Sequence, residues 1–130
     1  MSLAVGDRAE TTITVTEHML EHFADATGDR NPIHFDEAYA AATRFGGRVA
    51  HGLLIGGIIS SLLANELPGP GTVYLSQELR FRAPVRIGDE VRCAVEVTDV
   101  SGRNRLTLAT TAWVGDTLVV DGAARVLSPD

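Results

Sequence analysis

Lysine is absent from the 130 residues, and cysteine occurs only once. The first absence removes Schiff-base and lysine-nucleophile chemistry, and with it a lysine-bound pyridoxal cofactor. The single Cys93 excludes an intrachain disulfide and any multi-cysteine metal site. It lies in V-R-C-A-V-E-V (Val91 to Val97), on the same alternating face as the valines, so a buried strand cysteine is expected rather than a reactive thiol. All eleven basic residues are arginines, scattered between Arg8 and Arg125 without a basic tract, and the net charge is −6. Nucleic acid is therefore not an expected partner, although a local arginine fork would suit a small phosphate-bearing ligand. Also missing is an apolar run of the roughly 20 residues that a bilayer span needs. The segment Met1 to Asp7 has neither a basic region nor an apolar stretch, so a secretory signal is not expected and the cytoplasm is.

What is present describes an ordinary globular chain. Hydrophobic residues make up 45% and charged residues 22%, which fits one folded domain over residues 1–130. A helix is predicted from Glu17 to Thr27, with Thr16 as N-cap and Gly28 as stop. Its apolar face is Met19, Leu20, Phe23 and Ala26. Asp29 to Phe35 reads as loop, because a residue before proline avoids helix. A short helix capped by Asp36 follows and runs to a stop at Gly46-Gly47. G-L-L-I-G-G-I-I-S-S-L-L-A (Gly52 to Ala64) is apolar almost all round and predicts a helix buried on every side. Gly56 and Gly57 each cost that helix about 1 kcal/mol relative to alanine. They suggest close approach by a backbone or a ligand, though tight packing on a sheet would be reason enough. After Pro68-Gly69-Pro70-Gly71 the pattern becomes alternating strands, with Gly115-Asp116 as a hairpin turn. The plan is α+β: a curved antiparallel sheet wrapped around one apolar helix.

The densest polar cluster is G-D-R-N-P-I-H-F-D (Gly28 to Asp36). It holds a carboxylate, an amide and an imidazole on one rigid turn, and Asp29 and His34 together could bind and deprotonate a water. The same spacing equally suits a capped turn, with Asp29 and Asn31 as turn formers and His34 as a surface histidine. His51-Gly52 opens the apolar helix. Unpaired N–H groups there could polarise a carbonyl, and a glycine lets that carbonyl approach, or this is a plain first turn. Ser60 falls near the same helical face as Gly52 and Gly56, or else bonds its own helix. His18 and His22 stand four apart on one helix, but no HExxH pattern or third ligand accompanies them, so no metal is expected. Pro68-Gly69-Pro70-Gly71 lacks the Lys-Ser/Thr of a phosphate loop.

F-A-D-A-T-G-D-R-N-P-I-H-F-D (Phe23 to Asp36) and V-A-H-G-L-L (Val49 to Leu54) together resemble the (R)-specific enoyl-CoA hydratases of the MaoC-like dehydratase family. L-P-G-P-G-T-V-Y-L-S-Q (Leu67 to Gln77) and F-R-A-P-V-R-I-G-D-E-V (Phe81 to Val91) extend the likeness over most of the chain. The resemblance implies a hotdog fold and a homodimer or dimer of dimers with sites near the subunit interface. It implies syn addition of water to a trans-2-enoyl-CoA thioester, giving (R)-3-hydroxyacyl-CoA. In it, Asp29 and His34 match the catalytic pair, Gly52 the glycine whose N–H polarises the thioester carbonyl, Ser60 a supporting serine and Asn31 a positioning asparagine. No metal or redox cofactor is implied, coenzyme A being part of the substrate. Helical spacing further suggests Gly56 and Leu63 beside the acyl chain. Two other readings remain: an acyl-CoA thioesterase, in which the same water attacks the carbonyl, and a non-catalytic subunit that binds acyl thioesters.

Overall fold

The computed structural model describes residues 3–129. Met1 and Ser2, which begin the stretch read for a secretory signal, and Asp130 lie outside the described residues. A first strand, β1 (Arg8–Thr14), is followed by helices α1 (Glu17–Thr27), α2 (Pro32–Phe35), α3 (Glu37–Ala41) and α4 (Gly52–Asn65). Four strands complete the chain: β2 (Val73–Phe81), β3 (Glu90–Ser101), β4 (Arg105–Val114) and β5 (Thr117–Leu127). All pairings are antiparallel, in the order β1-β3-β4-β5-β2. The connection from α4, residues 66–72, thus carries β2 to the edge opposite β1. No helix among the described residues is long and apolar enough to cross a membrane.

The sheet curls around α4. Ile55, Ile59, Leu62 and Leu63 of the helix are buried against Val91, Val95, Leu106, Leu108 and Val126 from the strands. Cys93 sits in this core, and burial pushes its thiol up to about 11, where it stays protonated. Each buried aliphatic side chain contributes about 1.5–3 kcal/mol through removal from water, so the sheet and α4 are one stability unit.

These elements add one strand and correct three expectations. β1 is a strand that the sequence pattern does not announce, since its half-buried positions are only Ala9, Thr11 and Ile13. α1 has the predicted cap, with Thr16 Oγ1 accepting from the Met19 N–H at 3.2 Å. Its buried residues are Leu20 and Ala24, however, and Ala26 is exposed. Pro32 opens the one-turn helix α2 instead of a loop: it stands in the first turn, where its missing N–H costs nothing, while Asn31 outside the helix takes the extended shape. Lastly, α4 is not buried on every side. Leu53, Gly57, Ser61 and Ala64 are exposed along one stripe, Leu53 by 62%.

Candidate active site

The turn after α1 is built from nested side-chain bonds. Gly28 takes a left-handed conformation (φ 82°) and closes α1 through its N–H to the Ala24 carbonyl. The Asp29 N–H donates to Thr27 Oγ1 at 3.2 Å, and Asp29 Oδ1 accepts from the Asn31 N–H at 3.2 Å. Asn31 Oδ1 in turn caps α2 by accepting from the Ile33 N–H. This chain of short-range bonds explains why Asp and Asn alternate here: each satisfies the backbone two residues on. α2 then turns His34 inward, leaving it only 6% exposed.

His34 Nδ1 lies 2.8 Å from the Val49 carbonyl oxygen. A carbonyl can only accept, so Nδ1 carries the hydrogen and Nε2 of the neutral ring presents a lone pair. That Nε2 is 3.9 Å from Asp29 Oδ1, whose side chain remains about half exposed. A water about 2.8 Å from both atoms would subtend about 90° between them, close to its own H–O–H angle, so one molecule can donate to both. The pair is braced from behind by Arg48. Its Nε donates to the His34 carbonyl at 2.6 Å, and its other nitrogens fork onto both Glu17 carboxylate oxygens at 2.7 and 2.6 Å. The shared hydrogen bonds raise the Arg48 pKa and lower that of Glu17.

Across from this pair stands the start of α4. Gly52 opens the helix, and its N–H has no hydrogen-bond partner among the described residues, as expected for a first helical turn. A methyl group added at Gly52 would come within 2.7 Å of the Phe81 ring, so glycine is what lets strand β2 lie over the helix start. Asp29, His34 and Gly52 share one cavity of about 530 Å³, walled by apolar residues such as Ile33, Pro84 and Val120. Arg44 and Arg82 line it as well. Arg82 is held by Asp121 at 3.0 and 3.2 Å, which raises the Arg82 pKa and lowers that of Asp121. The scattered arginines thus bring cations to a ligand cavity without forming a basic tract.

The residue that sequence reasoning passes over is His51. It is 1% exposed, and its ring stacks on His34 with centroids 3.8 Å apart and planes 28° apart. Its Nε2 lies 3.0 Å from the Asp29 carbonyl oxygen. Burial, the largest influence, lowers its pKa. The available signal was its place beside Gly52 in V-A-H-G-L-L, where attention goes to the glycine. Asp29, His34 and His51 have possible ligand atoms within 4.8 Å of one another, yet they fit a metal poorly. Imidazole lone pairs lie in the ring plane, so two stacked rings direct them side by side and not toward a common point. One His51 nitrogen is already spent on a carbonyl.

Other predicted residues fall outside the cavity wall. Asn31 is a cap. Gly56 packs under Leu79, which an added methyl would meet at 2.9 Å, so sheet packing accounts for it. Ser60 is half-buried two turns on from Gly52, and its hydroxyl has no hydrogen bond among the described residues; it is Ser61 that bonds back to the helix, at the Ile58 carbonyl. Leu63 is 1% exposed and belongs to the core between α4 and the sheet. His18 and His22 touch through their Nε2 atoms at 2.7 Å on the exposed face of α1 and gather no third ligand among the described residues.

Residues 4–118 match a family model described as MaoC like domain. The chain belongs to the MaoC-like family. A 3-hydroxybutyryl-CoA dehydratase from Methylorubrum extorquens is 57% identical to this MaoC-like domain over 108 residues, which are 82% of this chain and 69% of that relative. An (R)-specific enoyl-CoA hydratase from Rhodospirillum rubrum is 43% identical over 125 residues, 95% of this chain and 87% of the relative. The solved (R)-hydratase of Aeromonas caviae superposes with a TM-score of 0.94 at 40% identity, covering 98% of each chain. The MaoC-like domain therefore has the hotdog fold that the motifs imply.

Proposed function

We infer that this MaoC-like domain is an (R)-specific 2-enoyl-CoA hydratase. The observation that carries the reading is the convergence of two proton acceptors, Asp29 Oδ1 and His34 Nε2, on a cavity that also holds the free Gly52 N–H.

The thioester carbonyl of the enoyl substrate accepts from the Gly52 N–H, which draws electron density from C3. A water held by Asp29 and His34 attacks C3. Its O–H bond breaks as the C3–O bond forms, and the proton passes to the pair. The charge that develops on the thioester oxygen rests on the Gly52 N–H, aided by the positive end of α4. The enolate then takes a proton at C2 from the same pair. Because donor and acceptor lie on one side of the substrate, both new bonds form on one face, a syn addition. No net electron transfer occurs, so the chemistry needs no redox cofactor, and the Gly52 N–H takes the part of carbonyl polariser; coenzyme A enters with the substrate. The same cavity runs the reverse dehydration.

The second copy expected of this family has a place to bind. β2 is an edge strand with Val73 and Leu75 exposed, and its Leu79 and Phe81 pack over Gly56 and Gly52 of α4, the helix that leaves Leu53 exposed. Covering that surface with a partner subunit is the simplest way to remove it from water.

Purified protein given crotonyl-CoA tests the assignment. Hydration removes the ultraviolet absorbance of the conjugated enoyl thioester, releases no free thiol, and yields the (R)-3-hydroxy product. Thiol release would indicate hydrolysis instead, and an unchanged substrate would indicate a binding subunit.

A further inference from the structure

His51 lines the cavity and touches Asp29, His34 and Gly52, yet neither ring nitrogen is free for the reacting water: Nε2 is bound to a carbonyl and Nδ1 is buried. Its Nε2 reaches the carbonyl of Asp29, its ring lies flat on His34, and its own carbonyl carbon forms the peptide bond to Gly52. The N–H that receives the substrate oxygen therefore belongs to the peptide His51 begins. We propose that His51 is a positioning residue that fixes the Asp29–His34 pair relative to the Gly52 N–H, acting as a neutral imidazole with its hydrogen on Nε2. This role rests on the hydratase reading.

The hydrogen bonding assigns the tautomer. The Asp29 carbonyl can only accept, so Nε2 carries the hydrogen. Nδ1 is buried with no partner among the described residues. Protonating it would bury a second N–H without an acceptor and set a cation against the face of His34. The groups facing His51 agree with this. Phe23 of α1 lies 4.8 Å away, centroid to centroid, and Phe35 of α2 lies 5.8 Å away. Among the described residues, the titratable neighbours acting on it are His34 and Asp29. His51 is thus held neutral beside the pair that takes up and returns the water's proton. A cation at that position would oppose uptake of a proton by the His34 ring it stacks on.

The Asp29 turn, α2 and the start of α4 are separate stretches of chain, and each meets His51 through a different contact. Loss of the Nε2 bond frees the Asp29 carbonyl, and a misplacement of about 1 Å at a reacting pair can cost about 100-fold in rate.

Three measurements test this. In His51→Phe, which keeps a flat ring and loses the donor, kcat for crotonyl-CoA is expected to fall about 10- to 100-fold while KM stays within about twofold. His51→Gln, which can return an N–H to the Asp29 carbonyl, is expected to recover about fivefold or more over the phenylalanine variant. Nitrogen-15 imidazole spectra of the wild-type protein at neutral pH are expected to show His51 neutral with hydrogen on Nε2. Wild-type kcat per folded molecule in His51→Phe, with only a lowered unfolding temperature, would make the residue merely structural and overturn the proposal. So would a glutamine variant no better than phenylalanine, or hydrogen on Nδ1. Should His51→Phe not fold, the spectra decide, with hydrogen on Nε2 supporting the role and hydrogen on Nδ1 overturning it. Wild-type protein that leaves crotonyl-CoA unhydrated overturns the hydratase reading and the role together. An active wild type with unaffected variants overturns the role alone.

Discussion

Val49, Gly52 and His51 do for the site what the acidic and basic side chains cannot do for themselves. The Val49 carbonyl chooses the His34 tautomer, and so decides which ring nitrogen can take a proton. Gly52 is required by Phe81, whose ring occupies the space a side chain would need. Gly52→Ala should accordingly lower kcat/KM at least about tenfold, through displacement of the ring and crowding of the N–H. Helix stability should not suffer, because alanine favours helix by about 1 kcal/mol over glycine. Adding Phe81→Ala should restore much of the loss, and steady-state kinetics on the two single variants and the double variant measure that coupling. Asp29, Asn31 and His34 are legible as a cluster in the sequence because their bonds are local, two or three residues apart. The Val49 and His51 contacts are not legible: they span fifteen and twenty-two residues, and no pattern marks a carbonyl as a tautomer selector.

Among the elements, α1 and α4 announce themselves through caps and apolar content, and β3 through its Val91, Cys93, Val95 and Val97 alternation. β1 does not, since alanine and threonine at its inward positions give almost no hydrophobic contrast. The apolar circumference of α4 is visible, but a sequence cannot distinguish a face that meets the sheet from one left at the surface of a single chain. The glycine of β5 is equally silent. Gly122 lies opposite Leu79 in the β2–β5 pairing, and a methyl group there would overlap the Glu78 carbonyl, a backbone atom with little freedom to move. Gly122→Ala should cost about 1–3 kcal/mol or more through overpacking. Urea unfolding measures this as a lowered midpoint at unchanged slope. An unaffected midpoint would mean that β2 can draw back from β5 at little cost.

For the whole molecule, antiparallel pairing and a central helix follow from the absence of helices between the later strands. The strand order β1-β3-β4-β5-β2 does not follow from the pattern, because it depends on where β2 lands after α4. The free edge of β2 and the stripe Leu53, Gly57, Ser61 and Ala64 lead to a prediction at this scale. Sedimentation should find a particle of at least twice the chain mass, and a monomer at micromolar concentration would contradict the homodimer. Hydration of crotonyl-CoA by Asp29→Asn and by His34→Ala, each checked for unchanged circular dichroism, decides whether the pair is catalytic. In each variant kcat/KM is expected to fall at least about 100-fold; near-wild-type turnover in either one would remove that residue from the chemistry.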